Sequence, residues 1–259
     1  MALQGKTILI TRAASQSGDL RAALEALGAR VLECPAIEIL PVSNWAEVDR
    51  AIAGLSSYQW LIFTSTNAVE YFMQRVQAKD IMCEVPVATV GASTARKLQE
   101  WNLTASRVPD TFRAEGLLEM FPADLQDVRI LIPRAETARE ILPDELRRRG
   151  ATVDVVTVYR TVKSEAGLSD LRQTLTSQAI DAVVFTSPSA VRSVSETLGD
   201  ELAALISPIP IAVIGPIARE AVESVGLRAT IQPGKATVQA LVDAIQRHFT
   251  PPAMDSGQE

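Results

Sequence analysis

Residues 6–39 read KTILITRAASQSGDLRAALEALGARVLECPAIEI, and this stretch decides the fold. A short β-branched run is followed by an amphipathic stretch and then by a second apolar run. The alternation continues along the chain, for example from WLIFTS at residues 60–65 and from AVVFTS at residues 182–187. Apolar strands without polar alternation are typical of a sheet covered on both faces. The pattern therefore predicts an α/β fold whose parallel sheets are flanked by helices.

The chain contains an internal duplication. Residue 6 begins a stretch that matches RILIPRAETAREILPDELRRRGATVDVVTVYRT from residue 129, and FTSTNAV from residue 63 matches FTSPSAV from residue 185, offsets of 123 and 122. Two further pairs follow in the same order: ATVGASTARKLQEWNL with AVIGPIAREAVESVGL, and PDTFRAEGLLEMF with PGKATVQALVDAI. The duplication predicts two similar α/β domains, and a cleft between such domains is a natural ligand site.

The boundary between the domains has two possible positions. A simple tandem arrangement places it near Gln126, between the copies. The extended segments AIEILPVSN near residue 40 and VVTVYRTVKS near residue 160 allow a different layout. In that layout the units that follow them exchange places and the chain crosses between domains twice. The residues alone leave both layouts open.

The composition excludes several classes of function. The 259 residues hold 25 Lys and Arg against 31 Asp and Glu, so the net charge of −6 gives no general reason to bind nucleic acid. Two cysteines without a CxxC spacing indicate neither a disulfide framework nor a zinc site. The single histidine, His248, lies beside the polar segment 250–259, which we predict to be disordered, so histidine chemistry is not expected. The absence of a signal-peptide pattern and of a long apolar run predicts a cytoplasmic protein without a membrane span.

The polar residues of interest follow the predicted strands. In an open parallel sheet the ligand site lies beyond the carboxyl ends of the strands, where helix N-termini present free N–H groups. The first strands of the two copies are followed by Thr11-Arg12 and Pro133-Arg134, the second by 64–67 and 186–189, and the third by 91–94 and Gly215-Pro216.

These positions have both a structural and a functional interpretation. A Ser or Thr at a helix start caps the helix, and Pro fits the first turn. Several helix starts that converge would instead bind a ligand with many negative charges. Basic side chains that could strengthen such a site are Arg12, Arg134, Arg139, Lys235 and Arg113.

A short-chain dehydrogenase is the main alternative suggested by the N-terminus. Arg12 and Gln16 occupy two of the places where that family has glycines, and their side chains would obstruct a pyrophosphate. Tyr159 and Lys163 have the spacing of its Tyr-x-x-x-Lys motif, which needs a helix. Because the surrounding residues are β-branched, we expect a strand, which places the two residues roughly 13 Å apart.

The ordered set of motifs resembles the uroporphyrinogen-III synthase family over nearly the whole chain. The set comprises a first strand ending in TR, FTSTNAV, VATVGASTA, RILIPRAE, GATVDVVTVYRT, FTSPSAV and IGP. The resemblance implies the exchanged layout, with two domains joined by a two-stranded β linker. The domain limits are then 1–36 with 164–259, and 42–157, with linker strands at 37–41 and 158–163.

The family's reaction needs no cofactor and no metal. The resemblance implies closure of the linear tetrapyrrole hydroxymethylbilane to uroporphyrinogen III, with inversion of ring D and loss of water. The substrate carries eight carboxylates, and holding it so that the substituted carbon of ring D attacks is catalysis by positioning. The implied partner is this small molecule, with possible direct handover from hydroxymethylbilane synthase, and the protein is expected to be a monomer.

The family's residues transfer to this chain position by position. Tyr159 matches the tyrosine of the vYxT motif and would donate a proton to the departing hydroxyl, unless it only packs in the linker. Thr94 matches the threonine after Gly91, but the second copy has Ala218 at that place, which shifts the expected role to the backbone amides near Gly215 and Ile217. The predicted substrate-binding residues are Thr11, Arg12, Ser65, Thr66, Gly91, Thr94, Arg134, Arg139, Ser187, Ser189, Gly215 and Ile217.

A second function is compatible with the same residues. A two-domain module that binds an anionic small molecule without catalysis, such as a tetrapyrrole sensor, would use the same anion donors. Ala218 is the feature that favours this alternative.

Overall fold

The computed structural model describes residues 2–110 and 114–250. It divides into two compact units, one built from the residues up to Ile39 together with those from Val162 onward, the other from Leu40–Thr161. Both points of division lie inside the segments predicted as linker strands. Arg113 and residues 251–259, which include most of the predicted disordered tail, lie outside the described residues.

Strands and helices alternate along most of the described chain. The strands are β1 Thr7–Ile10, β2 Arg30–Glu33, β3 Ile37–Pro41, β4 Trp60–Phe63, β5 Val87–Thr89, β6 Ala105–Arg107, β7 Arg129–Ala135, β8 Thr152–Lys163, β9 Ala182–Phe185 and β10 Ile211–Val213. The α-helices are α1 Ala14–Ala26, α2 Ala46–Ala53, α3 Thr66–Ala78, α4 Ala92–Gln99, α5 Ala114–Glu119, α6 Ile141–Arg148, α7 Glu165–Leu168, α8 Leu171–Ser177, α9 Pro188–Leu198, α10 Leu202–Ile206, α11 Pro216–Ser224 and α12 Val238–Phe249. Short 3-10 helices cover Leu55–Ser57 and Gly199–Glu201.

The first unit is a four-stranded parallel sheet in the order β10-β9-β1-β2. Side chains of β1 alternate between its two faces: Ile8 and Ile10 join one apolar cluster with residues of α12, while Leu9 joins another with residues of α9. Burial of each such side chain contributes about 1.5–3 kcal/mol. Helices therefore cover both faces of the sheet, as the continuous apolar strands predict.

A six-stranded sheet in the order β3-β8-β7-β4-β5-β6 lies mainly in the second unit, and β3 and β8 extend past the limits of that unit at Leu40 and Thr161. The pairs β8-β7, β7-β4, β4-β5 and β5-β6 are parallel. Ile62 and Ile132 face α5 and α6, and on the opposite face Phe63 packs edge-on against Phe72 of α3 at 5.8 Å. The prediction of an α/β fold with parallel sheets flanked by helices is confirmed.

The strand pairings connect the two sequence copies. β1 and β2 come from the first sequence copy, but β1 pairs with β9 from the second copy. In the other sheet, β4 from the first copy pairs with β7 from the second. Each sheet thus combines strands from both copies.

Residues 152–163 form one long strand, as the β-branched sequence predicts. Tyr159 and Lys163 lie on that strand, so no helical turn brings their side chains close together as a dehydrogenase requires. The Val42 N–H bonds to the Val158 carbonyl and the Ser164 N–H bonds to the Ala36 carbonyl, so β3 and β8 run in opposite directions. A linker function for these two strands remains a prediction.

Candidate functional site

Tyr159 lies near the carboxyl end of β8, with 7% of its surface exposed. The register between β7 and β8 shifts here: Arg134 is opposite Thr157, whereas Ala135 is opposite Tyr159. β8 therefore holds one extra residue, and such bulges redirect side chains beside functional sites. The Tyr159 carbonyl accepts a hydrogen bond from the Glu136 N–H at 2.9 Å, which fixes the backbone at the bulge.

Ser65 connects the phenol of Tyr159 to the start of α3. Its hydroxyl oxygen accepts the Ala68 N–H at 3.1 Å, which confirms the predicted capping role, and lies 3.2 Å from the Tyr159 hydroxyl. Capping uses a lone pair of the serine oxygen and leaves its proton available. Ser65 can therefore donate to the phenol oxygen while remaining the cap of α3.

Tyr71, on the same helix, lies against the ring of Tyr159. The ring centroids are 6.0 Å apart and the planes differ by 21°, a stacked arrangement. Burial, with a smaller effect of the Glu70 carboxylate, raises the pKa of Tyr71. Tyr71 was not among the residues predicted from the sequence. Tyr71 comes six residues after Ser65, which is not a spacing that places two side chains on one helix face, so no local pattern identifies it. Ser65, Tyr71 and Tyr159 together are called the tyrosine cluster below.

Arg134 lies near the carboxyl end of β7, Arg139 follows the strand, and the two residues are close to each other. The Arg134 guanidinium is paired with Glu140 and also donates to the Arg139 carbonyl at 3.4 Å. Its side chain is only 15% exposed, and the pairing lowers the pKa of Glu140. Arg139 is exposed. An anion at Arg134 would therefore compete with Glu140.

Two helices that start at glycine lack a side-chain cap. Gly91 precedes α4 and Gly215 precedes α11, and neither helix has a capping hydrogen bond from a side chain. The first N–H groups of a helix have no partner within it, so these amides can bind an anion. Pro216 has no N–H, which makes the amides of Ile217 and Ala218 the donors of the first turn of α11.

The side chains beside these glycines differ between the copies. Thr94 in α4 is 4% exposed and Ala218 in α11 is 3% exposed, so both lie inside their units. Ile217 is 45% exposed. A Cβ atom on Gly215 would lie 3.2 Å from the Cβ of Ala236, which makes this a tight approach of two backbone segments.

Thr11 and Arg12 at the end of β1 have separate environments. The Thr11 hydroxyl is fully buried and donates to the Val184 carbonyl at 2.9 Å, so it joins β1 to β9. Arg12 is half-buried. Burial lowers the pKa of its guanidinium, while the Asp19 carboxylate acts in the opposite direction.

The serines after β9 are engaged within α9. Ser187 caps the helix by accepting the Ala190 N–H at 3.2 Å, which confirms its predicted capping role. Ser189 accepts a hydrogen bond from Arg192 at 3.3 Å. Thr66, the counterpart of Pro188 in the first copy, is half-buried.

The remaining polar candidates are distributed over the first unit. Lys235 is exposed before α12, and His248 lies in the last turn of that helix with its ring against Phe249. Within residues 2–110 and 114–250, no group of three or more His, Cys, Asp or Glu side chains could hold a metal ion. In the same residues no helix is both long and apolar enough to cross a membrane.

The tyrosine cluster thus combines one predicted catalytic residue, one predicted binding residue and one residue that the sequence analysis did not identify. The other predicted residues lie at or after the ends of β1, β4, β5, β7, β9 and β10. Among the described residues, direct contacts between predicted site residues are those of Ser65 with Tyr159 and of Arg134 with Arg139.

Comparisons with known proteins give consistent results. A family model described as uroporphyrinogen-III synthase HemD matches residues 18–243. A uroporphyrinogen-III synthase of Synechococcus elongatus is 36% identical, with 95% of this chain and 96% of that protein covered. A putative uroporphyrinogen-III synthase of Methanothermobacter thermautotrophicus is 31% identical, with 91% and 96% covered. The solved structure of a mutant uroporphyrinogen III synthase from Thermus thermophilus has a TM-score of 0.67 at 18% identity, covering 94% of this chain and 98% of that one, which is a likeness of fold.

Proposed function

Because the chain belongs to the uroporphyrinogen-III synthase family, we propose that it closes hydroxymethylbilane to uroporphyrinogen III by proton donation from Tyr159. The reaction inverts ring D and releases one water. The hydrogen bond between Ser65 and Tyr159 is the observation that carries the mechanism. The protein is an enzyme of tetrapyrrole biosynthesis, and the role of Tyr159 is the proposal.

The hydrogen bonds of Ser65 are compatible with a proton-donor role for the phenol, because either hydroxyl of the Ser65–Tyr159 pair can donate to the other. The Ser65 oxygen accepts from Ala68, so the serine proton can point to the oxygen of Tyr159. The proton of Tyr159 is then free to go to the hydroxyl that leaves the substrate. As that transfer proceeds, negative charge develops on the phenol oxygen, and the Ser65 O–H stabilises it.

The steps after proton transfer are a consequence of the substrate's own reactivity. Loss of the protonated hydroxyl as water leaves an electrophilic azafulvene. The substituted carbon of ring D attacks it to give a spiro intermediate, and rearrangement yields the inverted ring. The last step releases a proton, which restores the phenol of Tyr159, so the balance is loss of one water.

Backbone amides are the proposed main ligands of the substrate carboxylates. The N–H groups at the starts of α4 and α11 lack side-chain caps, which supports a ligand role for Gly91, Thr94, Gly215 and Ile217. Hydrogen bonds to a charged group contribute about 1.5–3 kcal/mol each. The remaining proposed contacts are Thr11, Arg12, Thr66, Arg134, Arg139, Ser187 and Ser189.

A coupled assay tests the activity and the donor together. Purified hydroxymethylbilane synthase generates the bilane, the products are oxidised, and the type I and type III porphyrins are separated. The wild-type chain should give predominantly type III. Tyr159→Phe should lower kcat more than it changes KM, since the ring remains and only the hydroxyl is lost; an unchanged kcat would exclude Tyr159 as the donor.

The alternative of a non-catalytic sensor makes a different prediction in the same assay. A folded chain that binds the bilane but yields only type I product would be a binding module. Family membership favours the enzyme.

We further propose a cytoplasmic monomer that receives its unstable substrate from hydroxymethylbilane synthase, with domains at 1–36 plus 164–259 and at 42–157. Light scattering after size exclusion tests the monomer. Competition by a catalytically dead synthase tests handover, because a channelled substrate would give less type III product when the active synthase is displaced.

A further inference from the structure

We infer that Tyr71 is a positioning residue that holds the phenol of Tyr159 against Ser65. The inference rests on the proposed donor role of Tyr159. The inference concerns the contact of Tyr71 with the face of the Tyr159 ring, whereas the proposed mechanism uses only the Tyr159 hydroxyl.

A single helix contacts Tyr159 at two places. Ser65 at the N-cap of α3 reaches the phenol oxygen at 3.2 Å, and Tyr71 further along α3 stacks on the ring at 6.0 Å. The hydrogen bond restricts where the oxygen lies, and the stacked ring restricts the plane of the phenol. Together with the backbone bond from Glu136, these contacts leave Tyr159 little rotational freedom.

Restricted rotation matters because the donor must meet one specific hydroxyl of a flexible substrate. A displacement of about 1 Å in a reacting group can cost roughly 100-fold in rate. The Tyr71 ring contributes no proton in this scheme and affects only the geometry of Tyr159. Its loss should therefore lower kcat and leave KM nearly unchanged.

The position of Tyr71 is itself fixed from the neighbouring helix. Glu70, the preceding residue, forms an ion pair with Lys97 of α4 at 2.6 Å. Met73 and Val76 of α3 are buried in the same unit. α3 is thus a well-anchored support for both contacts to Tyr159.

The experiment compares Tyr71→Phe, which keeps the ring, with Tyr71→Leu, which removes it, in the coupled assay for type III product. We expect Tyr71→Phe to keep kcat within twofold of the wild type. Tyr71→Leu should lower kcat about tenfold with KM within twofold. Trp45→Leu is the matched control, since it removes another half-buried ring of this unit, which lies against Arg75, and should leave kcat unchanged.

The double variant Tyr71→Leu with Tyr159→Phe separates positioning from general damage. If Tyr71 acts through the phenol proton, the double variant should be no slower than Tyr159→Phe alone. If the reduction in kcat of the double variant equals the product of the reductions in the two single variants, the inference is overturned. Such a result would indicate that Tyr71→Leu has an independent structural effect. Tyr71→Met, which fills a similar volume without a ring, replaces Tyr71→Leu if the latter does not fold.

Failure of the inference can be distinguished from failure of the proposed mechanism. If Tyr159→Phe is impaired but Tyr71→Leu has wild-type kcat, only the role of Tyr71 is wrong. If Tyr159→Phe has wild-type kcat, the donor mechanism is wrong and the positioning role is wrong with it.

Discussion

Ser65→Ala removes two hydrogen bonds at once, and their effects appear in different measurements. The bond from Ala68 at 3.1 Å stabilises the start of α3 and contributes to the free energy of unfolding. The bond to Tyr159 at 3.2 Å contributes mainly when charge develops on the phenol. The substitution should therefore lower both stability and turnover.

The size of each effect can be worked from the geometry. Loss of a serine cap costs about 1 kcal/mol of stability. A hydrogen bond to a charged oxygen contributes about 1.5–3 kcal/mol. At about 1.4 kcal/mol per factor of ten in rate, kcat should fall roughly 10- to 100-fold.

The coupled assay measures kcat and KM for type III formation, and urea titration measures the free energy of unfolding. Thr237→Ala is the matched control, because Thr237 caps α12 by accepting the Ala240 N–H at 3.2 Å and is exposed. Both variants should lose about 1 kcal/mol of stability, but only Ser65→Ala should lose turnover. A kcat within twofold of the wild type for Ser65→Ala would refute the reasoning, since Ser65 would then be a cap and nothing more.

Two stability predictions use other parts of the chain. Hydrogen bonds from Arg75 hold the pKa of Asp49 at about 2, below its ordinary value of 3.8. The stability that this carboxylate contributes to the fold is therefore complete above about pH 4 and is lost as the pH falls toward 2. Asp49→Asn should reduce the loss in the free energy of unfolding that urea titration measures between pH 5 and pH 2. An unchanged loss would contradict the assignment. A Cβ on Gly167 would lie 2.1 Å from the Pro35 carbonyl oxygen, so Gly167→Ala should cost about 1–3 kcal/mol. Gly18→Ala, where a Cβ meets nothing within 4 Å, is the control, and equal stability of the two variants would show that the close approach relaxes freely.

Local sequence was enough to predict the strands and helices, but not how they pair. The β-branched run ending at Lys163 correctly predicts a strand, because the preference is a property of neighbouring residues. The pairing of β1 with β9 was left open, because every βα unit offers a similar apolar edge. The comparison of copies located the helix starts, and Ser65 and Ser187 cap them as expected.

Contacts between distant residues account for what the sequence did not predict at the candidate site. Tyr71 meets Tyr159 only because α3 and β8 belong to one unit, and no local pattern reports this. Thr11 was predicted as a ligand from its place after β1, and its hydroxyl also bonds to a carbonyl on the neighbouring strand, a contact that no local pattern reports. A polar residue at the end of a strand can stabilise the sheet, bind a ligand or do both. The sequence around it does not distinguish these roles, because they depend on residues far away in the chain.

The pairing of β1 with β9 also sets an order of events during synthesis. The Thr11 hydroxyl can form its hydrogen bond only after the carbonyl 173 residues further along the chain has been made. At about 5–20 residues per second, a ribosome needs roughly 10–35 s to make that stretch. Leu40–Thr161 is complete before β9 has been made, so the second unit can finish folding on the nascent chain while β1 still has an unpaired edge. The first strand of the protein is thus among the last to complete its pairing, and until β9 has been made its unpaired edge can pair with another chain.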